Sequence, residues 1–174
     1  IGCDGGGGFL DPQNAGVQAE VVACRGVPAL AGVVVIVAAA LFVRLGYKAF
    51  GLGLRNMFIL HNHVKDVSAV IGMYDAICLP SLKEGFSNSI SEAICVGKPL
   101  LVSDVSDNKV MVHDGENGYL FDPTSVEQMV EAVEKFYYLP IKLKSQMGKR
   151  SREIAENLFQ KEKFINSYIE LIER

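Results

Sequence analysis

Pro80–Asn108, PSLKEGFSNSISEAICVGKPLLVSDVSDN, is the stretch on which the fold turns. It follows an apolar run, Ala76-Ile77-Cys78-Leu79, of the continuous kind found in strands covered on both faces. A polar loop with Glu84, Gly85, Phe86, Ser87 and Asn88 comes next. Ile90, Ala93 and Ile94 then recur at helical spacing, and Gly97 and Pro99 stop that helix in the usual order. Leu100-Leu101-Val102, ending in Ser103-Asp104, reads as a second strand. Strand, loop, helix, strand is one turn of an α/β fold with a parallel sheet.

In such sheets ligands bind beyond the carboxyl ends of the strands, where the Glu84–Ser89 loop sits. A helix starting near Asn88 or Ser89 points its free N–H groups there, and its dipole favours an anion. Two carboxylates flank the place, Glu84 on the loop and Glu92 in the first helical turn. Acids repel a phosphate but accept well from sugar hydroxyls, so a helix end with two acids points to a nucleotide-sugar. Plainer readings stand beside this one. Ser89-Ile90-Ser91-Glu92 is also a capping box, Glu84 reads equally as a solvated loop acid, and Phe86 as core.

The stretch resembles the C-terminal, donor-binding domain of family-4 (group 1) retaining glycosyltransferases, which have the two-domain GT-B fold. Their pattern is close to P-S-x-x-E-G-F-x-N-x-x-x-E-A-x-x-x-G-x-P. Pro80, Ser81, Glu84, Gly85, Phe86, Asn88, Glu92, Ala93, Gly97 and Pro99 match it, as do Ser103-Asp104 and Gly115 to Phe121 further on. The resemblance runs from about residue 55 to the C-terminus and implies half of a GT-B fold, a Rossmann-like parallel sheet flanked by helices with further helices at the C-terminus. It implies that Glu84, the catalytic candidate, contacts hydroxyls of the donor sugar. Gly85, Phe86 and Ser87 lay their backbone N–H groups along the sugar and diphosphate. The helix end at Asn88 and Ser89 faces the phosphates, and Glu92 accepts from the ribose.

The resemblance also implies a UDP- or GDP-sugar as donor and a glycan or lipid-linked acceptor in polysaccharide synthesis. It implies a cytoplasmic place, in contact with the inner face of the membrane. GT-A transferases hold a metal with Asp-x-Asp; none occurs here, so no metal or other cofactor is expected. The family's basic pair, in a G-R-x4-K-G pattern, is absent, and so is its acceptor-binding N-terminal domain. A fragment, inactive alone, is therefore expected. The alternative is a non-catalytic nucleotide-sugar-binding or interaction domain, anchored to a membrane by residues 27–43.

Length and composition agree with one domain plus an extension. The chain has 174 residues, 49% of them apolar, and a net charge of −3, which argues against nucleic acid as a partner. Its four cysteines form no CxxC pair; Cys78 and Cys95 lie in apolar runs and read as buried thiols. His61, His63 and His113 lack a partner spaced to complete a zinc site and read as loop residues.

Residues 1–45 read apart from 46–174. Gly5 to Gly8 do not satisfy a phosphate-loop spacing. Val27–Val43 is the most apolar segment, at the lower limit for a membrane span, yet Pro28 and Gly32 interrupt it. A strand at Val33–Val37 leading into a helix from Ala38 is the soluble reading. Further expected elements are a strand at Met57–Leu60 and a helix at Asp66–Tyr74. Asp107 or Asn108 is expected to cap a short helix, with Asp107 a second-tier contact, and Tyr119–Phe121 to be the last strand. Thr124-Ser125-Val126-Glu127 is expected to cap a helix burying Val126, Met129, Val130, Val133 and Phe136. Two more helices follow, the first with a basic stripe of Lys142, Lys144, Lys149, Arg150 and Arg152. The last carries Phe164, Ile165, Tyr168, Leu171 and Ile172 on one face.

Overall fold

The computed structural model describes residues 66–173 and, ahead of them, the strands β1 (Ala19–Cys24), β2 (Val33–Ala38) and β3 (Phe58–His61). The remaining elements are α1 (Val67–Gly72), β4 (Ala76–Leu79), α2 (Asn88–Val96), β5 (Leu100–Ser103), α3 (Asn108–Met111) and β6 (Gly118–Phe121). Helices α4 (Val126–Tyr138), α5 (Ile141–Leu158) and α6 (Lys161–Ile172) close the chain. One sheet runs in the order β3-β1-β2-β4-β5-β6. Strands β2, β4, β5 and β6 are parallel, and Val35, Cys78, Leu101 and Tyr119 form one register row across them. The parallel sheet expected from the sequence is there, and an antiparallel pair extends it, since β1 runs against both β2 and β3.

The centre of the apolar 27–43 segment is thus a strand paired on both sides. The helix expected after it lies outside the described residues, as do the glycine run and the side chains of His61 and His63. The expected boundary at 45/46 falls between β2 and β3 of this one sheet. Among the described residues no helix is long and apolar enough to cross a membrane.

Every residue of β4 and β5 is buried. Alternate side chains feed two cores. Ile77, Leu79, Leu100 and Val102 pack against Ile71, Ile90, Ala93, Ile94 and Ile154 on one face. Ala76, Cys78, Leu101 and Phe121 meet Ala132, Phe136 and Met147 on the other. Helix α4 departs from expectation: Val126, Val130 and Val133 face solvent, while Ala132 and Phe136, flanked by half-buried Met129 and Leu139, face the sheet. Its sequence carries two apolar stripes one position apart, and the one that holds Phe136 packs with Phe121 of β6. Its cap is Ser125, which accepts from the Gln128 N–H, while Thr124 bonds to Asp122 instead. Cys95 is exposed, because Ile90, Ala93 and Ile94 direct the opposite face of α2 inward.

Helix α2 begins at Ser87, whose extended backbone and Oγ cap the Ile90 N–H at 3.4 Å. It ends at Gly97, which has φ of 78° in the left-handed region suited to glycine. Helix α5 crosses there: a Cβ on Gly148 would lie 2.5 Å from the Gly97 carbonyl oxygen. The buried Ser151 hydroxyl donates to the Lys98 carbonyl at 2.7 Å and accepts from Asn117 Nδ2 at 3.3 Å. Asn117 also accepts from the His113 N–H at 2.7 Å, fixing the turn before β6. On that turn Glu116 pairs with Arg150 of α5 at 3.0 Å. The Arg150 guanidinium, helped by His113, holds the Glu116 carboxyl below its usual range.

Three outcomes follow from these contacts. Gly148→Ala lowers stability in urea unfolding by about 2 kcal/mol, because backbone must move to admit the methyl, whereas Gly72→Ala, with open space around it, costs nothing measurable. Ser87→Ala costs about 1 kcal/mol as a lost cap, and Ser89→Ala stays within about 0.5 kcal/mol. The Glu116 contribution is present above the ordinary glutamate value of about 4.3 and fades as pH falls through the lower folded value. Wild type and Glu116→Gln therefore draw together in melting temperature as pH falls from the ordinary glutamate value of about 4.3 through the lower folded value.

Candidate functional site

Because β4, β5 and β6 are parallel, the loops that follow them, 80–87, 104–107 and 122–125, gather at one edge of the sheet. The first loop carries most of the expected site. Glu84 is half-buried, and its Oε1 accepts from Ser81 Oγ at 2.5 Å. Its carbonyl accepts from Ser106 Oγ at 2.5 Å. Gly85 is exposed and faces open space, since a Cβ there would meet no atom within 4 Å. Phe86 is half-exposed, not core, and sets its ring edge-on to Phe159 at 6.3 Å. Phe159 lies between α5 and α6, so this ring contact joins the loop to their junction.

Ser87 is buried as the cap, and Asn88 and Ser89 open the helix. Among the described residues no hydrogen bond takes up the N–H groups of Gly85, Phe86, Asn88 or Ser89. These donors belong to the loop and to the positive end of the α2 dipole. Ser89 is already inside the helix, so Glu92 lies beyond its first turn and cannot close a capping box. Glu92 is exposed, and its carboxylate has no partner among the described residues. At three and four residues from Ser89 and Asn88, it stands on the same side of α2 as they do. The structure therefore brings Glu84, Gly85, Asn88, Ser89 and Glu92 to one edge and uses Ser87 to build it.

The β5–α3 loop supplies what the motif does not reveal. Ser103 is wholly buried, and its hydroxyl donates to the Ser81 carbonyl at 2.6 Å. Ser106 has φ of 48°, the one positive value among the described non-glycine residues. Asn108 is buried and donates from Nδ2 to the Ser103 carbonyl at 2.8 Å. Asp107 occupies the cap position of α3, but its side chain makes no capping bond. Asp104 pairs with Lys109 at 3.0 Å on the surface. Ser81 and Ser103 fall within the matched pattern, but nothing in their spacing marks them as partners 22 residues apart.

The basic residues gather elsewhere. A cleft of about 450 Å³ at the other end of the sheet is lined in part by Lys98, Lys144, Lys149 and Arg152. Lys98 Nζ donates to the Gly72 and Tyr74 carbonyls at 2.8 and 2.7 Å, and burial lowers its pKa. Arg152 donates to the Cys95 carbonyl, and Lys144 to that of Tyr137 at 2.9 Å. Cations thus cover carbonyls at the ends of α1, α2 and α4, where helix dipoles favour them. The expected basic stripe is in this way divided between buried and surface roles. No group of three His, Cys, Asp or Glu side chains able to hold a metal occurs among the described residues.

Comparison with known proteins agrees with this architecture. The model of the family described as glycosyl transferases group 1 matches residues 31–154. Trehalose synthase of Pyrococcus horikoshii is 31% identical over 112 residues, 63% of this chain and 26% of that protein. Sucrose-phosphate synthase from Thermosynechococcus elongatus superposes with a TM-score of 0.68 at 20% identity, over 75% of this chain and 33% of that one. Anabaena HepE in complex with UDP and glucose gives 0.68 at 20% identity, over 75% and 36%. The chain spans about a quarter of the curated relative's length and about a third of the solved ones. The solved neighbours are GT-B glycosyltransferases, and this chain shares its fold with about a third of each. On the family match over most of its length, the chain belongs to the group 1 glycosyl transferases.

Proposed function

We propose that this chain is the donor-binding half of a retaining glycosyltransferase that takes a UDP- or GDP-sugar and needs an acceptor domain to act. The observation that carries this is the placement of the half-buried Glu84 carboxylate beside the unpaired N–H groups at the start of α2. Glu84 accepts from hydroxyls of the sugar. Gly85 leaves room for close approach, and the Gly85, Phe86 and Ser87 amides run along the sugar and diphosphate. As the bond from the anomeric carbon to the diphosphate breaks, negative charge grows on the departing phosphate oxygen. Donors fixed in advance, such as the Asn88 and Ser89 amides, stabilise that charge without reorganising. Glu92, on the same side of α2, accepts from the ribose hydroxyls. HepE, which shares the fold, was solved with UDP and glucose, and this supports the nucleotide assignment.

At this edge Lys109 is paired with Asp104 and Lys83 stands exposed on the Glu84 loop, and the remaining charge on the leaving diphosphate calls for cations beyond these two. The reading includes no metal, since the sequence holds no Asp-x-Asp, no transfer by this chain alone, an acceptor that is a glycan or lipid-linked sugar, and a cytoplasmic place at the membrane's inner face. Calorimetric titration with UDP, GDP and their sugar conjugates tests it. Glu92→Ala weakens nucleotide and conjugate alike by about tenfold, and Glu84→Gln weakens the conjugate alone by a similar factor. A folded chain that binds none of them would sink the reading.

A further inference from the structure

The proposed donor site depends on a loop whose conformation is set from outside itself. Residues 80–87 contain no regular structure before the cap, and Lys83, Gly85 and Phe86 are exposed. Such a loop is ordered by its hydrogen bonds rather than by packing. Three serine hydroxyls supply them. Ser103, wholly buried at the end of β5, holds the Ser81 carbonyl at 2.6 Å. Ser81 in turn directs its own hydroxyl at Glu84 Oε1, at 2.5 Å. Ser106 holds the Glu84 carbonyl at 2.5 Å from the neighbouring loop.

Ser106 reaches Glu84 from the left-handed region, at φ of 48°. That conformation is unfavourable for a residue with a Cβ and persists where surrounding contacts determine it. The base of its turn is fixed by Asn108, buried and bonded to the Ser103 carbonyl at 2.8 Å, and by the Asn108 N–H to the Val105 carbonyl at 3.2 Å. One end of β5 thus grips the Glu84 loop at two points, and Ser81 passes that grip to the carboxylate.

We infer that Ser81 and Ser106, with Ser103 behind them, are positioning residues that aim the Glu84 carboxylate at the sugar of the donor. The inference rests on the donor-site reading above and names what makes that site selective for the sugar over the bare nucleotide. The Ser81 bond occupies one carboxylate oxygen, leaving the other to accept from the ligand. Neither serine is hydrogen-bonded to the helix end, so their removal falls more heavily on sugar recognition than on nucleotide binding.

The test titrates the chain and its variants with UDP and with UDP-glucose, and follows the Gly85 and Phe86 amides by NMR relaxation. Ser81→Ala weakens UDP-glucose about tenfold and leaves UDP within about twofold, while Ser81→Thr, which keeps the hydroxyl, restores the affinity. Ser106→Gly accepts the backbone angle but lacks the hydroxyl. It folds as wild type does, weakens UDP-glucose by a similar factor and makes both amides more mobile. Equal losses for the two ligands, or no loss for either while wild type prefers UDP-glucose, overturn the inference. If wild type binds neither ligand, the donor-site reading fails and the amides decide the grip alone. Unchanged mobility in Ser106→Gly then refutes it, and raised mobility upholds it as the device that orders the Glu84 loop.

Discussion

A helix end can offer its N–H groups to a ligand only if its other end is satisfied without drawing the helix away. Helix α2 meets this constraint through its carbonyl terminus, and the candidate site depends on it. Gly97 turns into the left-handed region, the Lys98 N–H returns to the Ala93 carbonyl at 3.0 Å, and Arg152 takes the Cys95 carbonyl. Helix α5 can come that close because two glycines meet at the crossing, Gly97 and Gly148. Ser151 and Asn117 then join the start of β5, the turn before β6 and α5 into one buried network. Each member has its partner, so the network specifies an arrangement without stranding polar groups.

The two ends of the sheet divide the polar chemistry between them. At the amino ends of the strands, cations cover helix carbonyls, with Lys144 buried and Lys98 half-buried among them. At the carboxyl ends acids and serines predominate, with Lys109 paired to Asp104 and Lys83 exposed on the Glu84 loop, and the backbone N–H groups of α2 add positive potential. This division suits a ligand with both phosphates and hydroxyls. Backbone dipoles hold phosphate without a long flexible side chain, and carboxylates accept hydroxyl protons that a cation could not. The apolar outer stripes, Val126, Val130 and Val133 on α4 and Ile165, Tyr168 and Leu171 on α6, take no part in either core.

The β4–α2–β5 unit was legible in the sequence because its signals are local. A continuous apolar run, a helical period of three and four, and a glycine–proline stop each lie within a few residues. The ordered motif from Pro80 to Pro99 then named the family, and with it Glu84, Gly85, Asn88 and Glu92 as residues to watch. Composition and charge argued against nucleic acid as the main partner and decided little else. What the sequence could not decide was which of two overlapping apolar stripes α4 buries, since both have helical spacing. That choice belonged to Phe121, Leu101 and Met147, brought to α4 by the sheet and by α5. Nor could it separate Ser87 from Ser89 as the cap, because either serine starts a plausible helix and only the extended backbone at Ser87 distinguishes them. The hold of Ser103 and Ser106 on the Glu84 loop, and of Arg152 on Cys95, spans 22 and 57 residues of chain. Bonds of that reach impose no period and no spacing on the residues that make them, so the tertiary structure alone decided them.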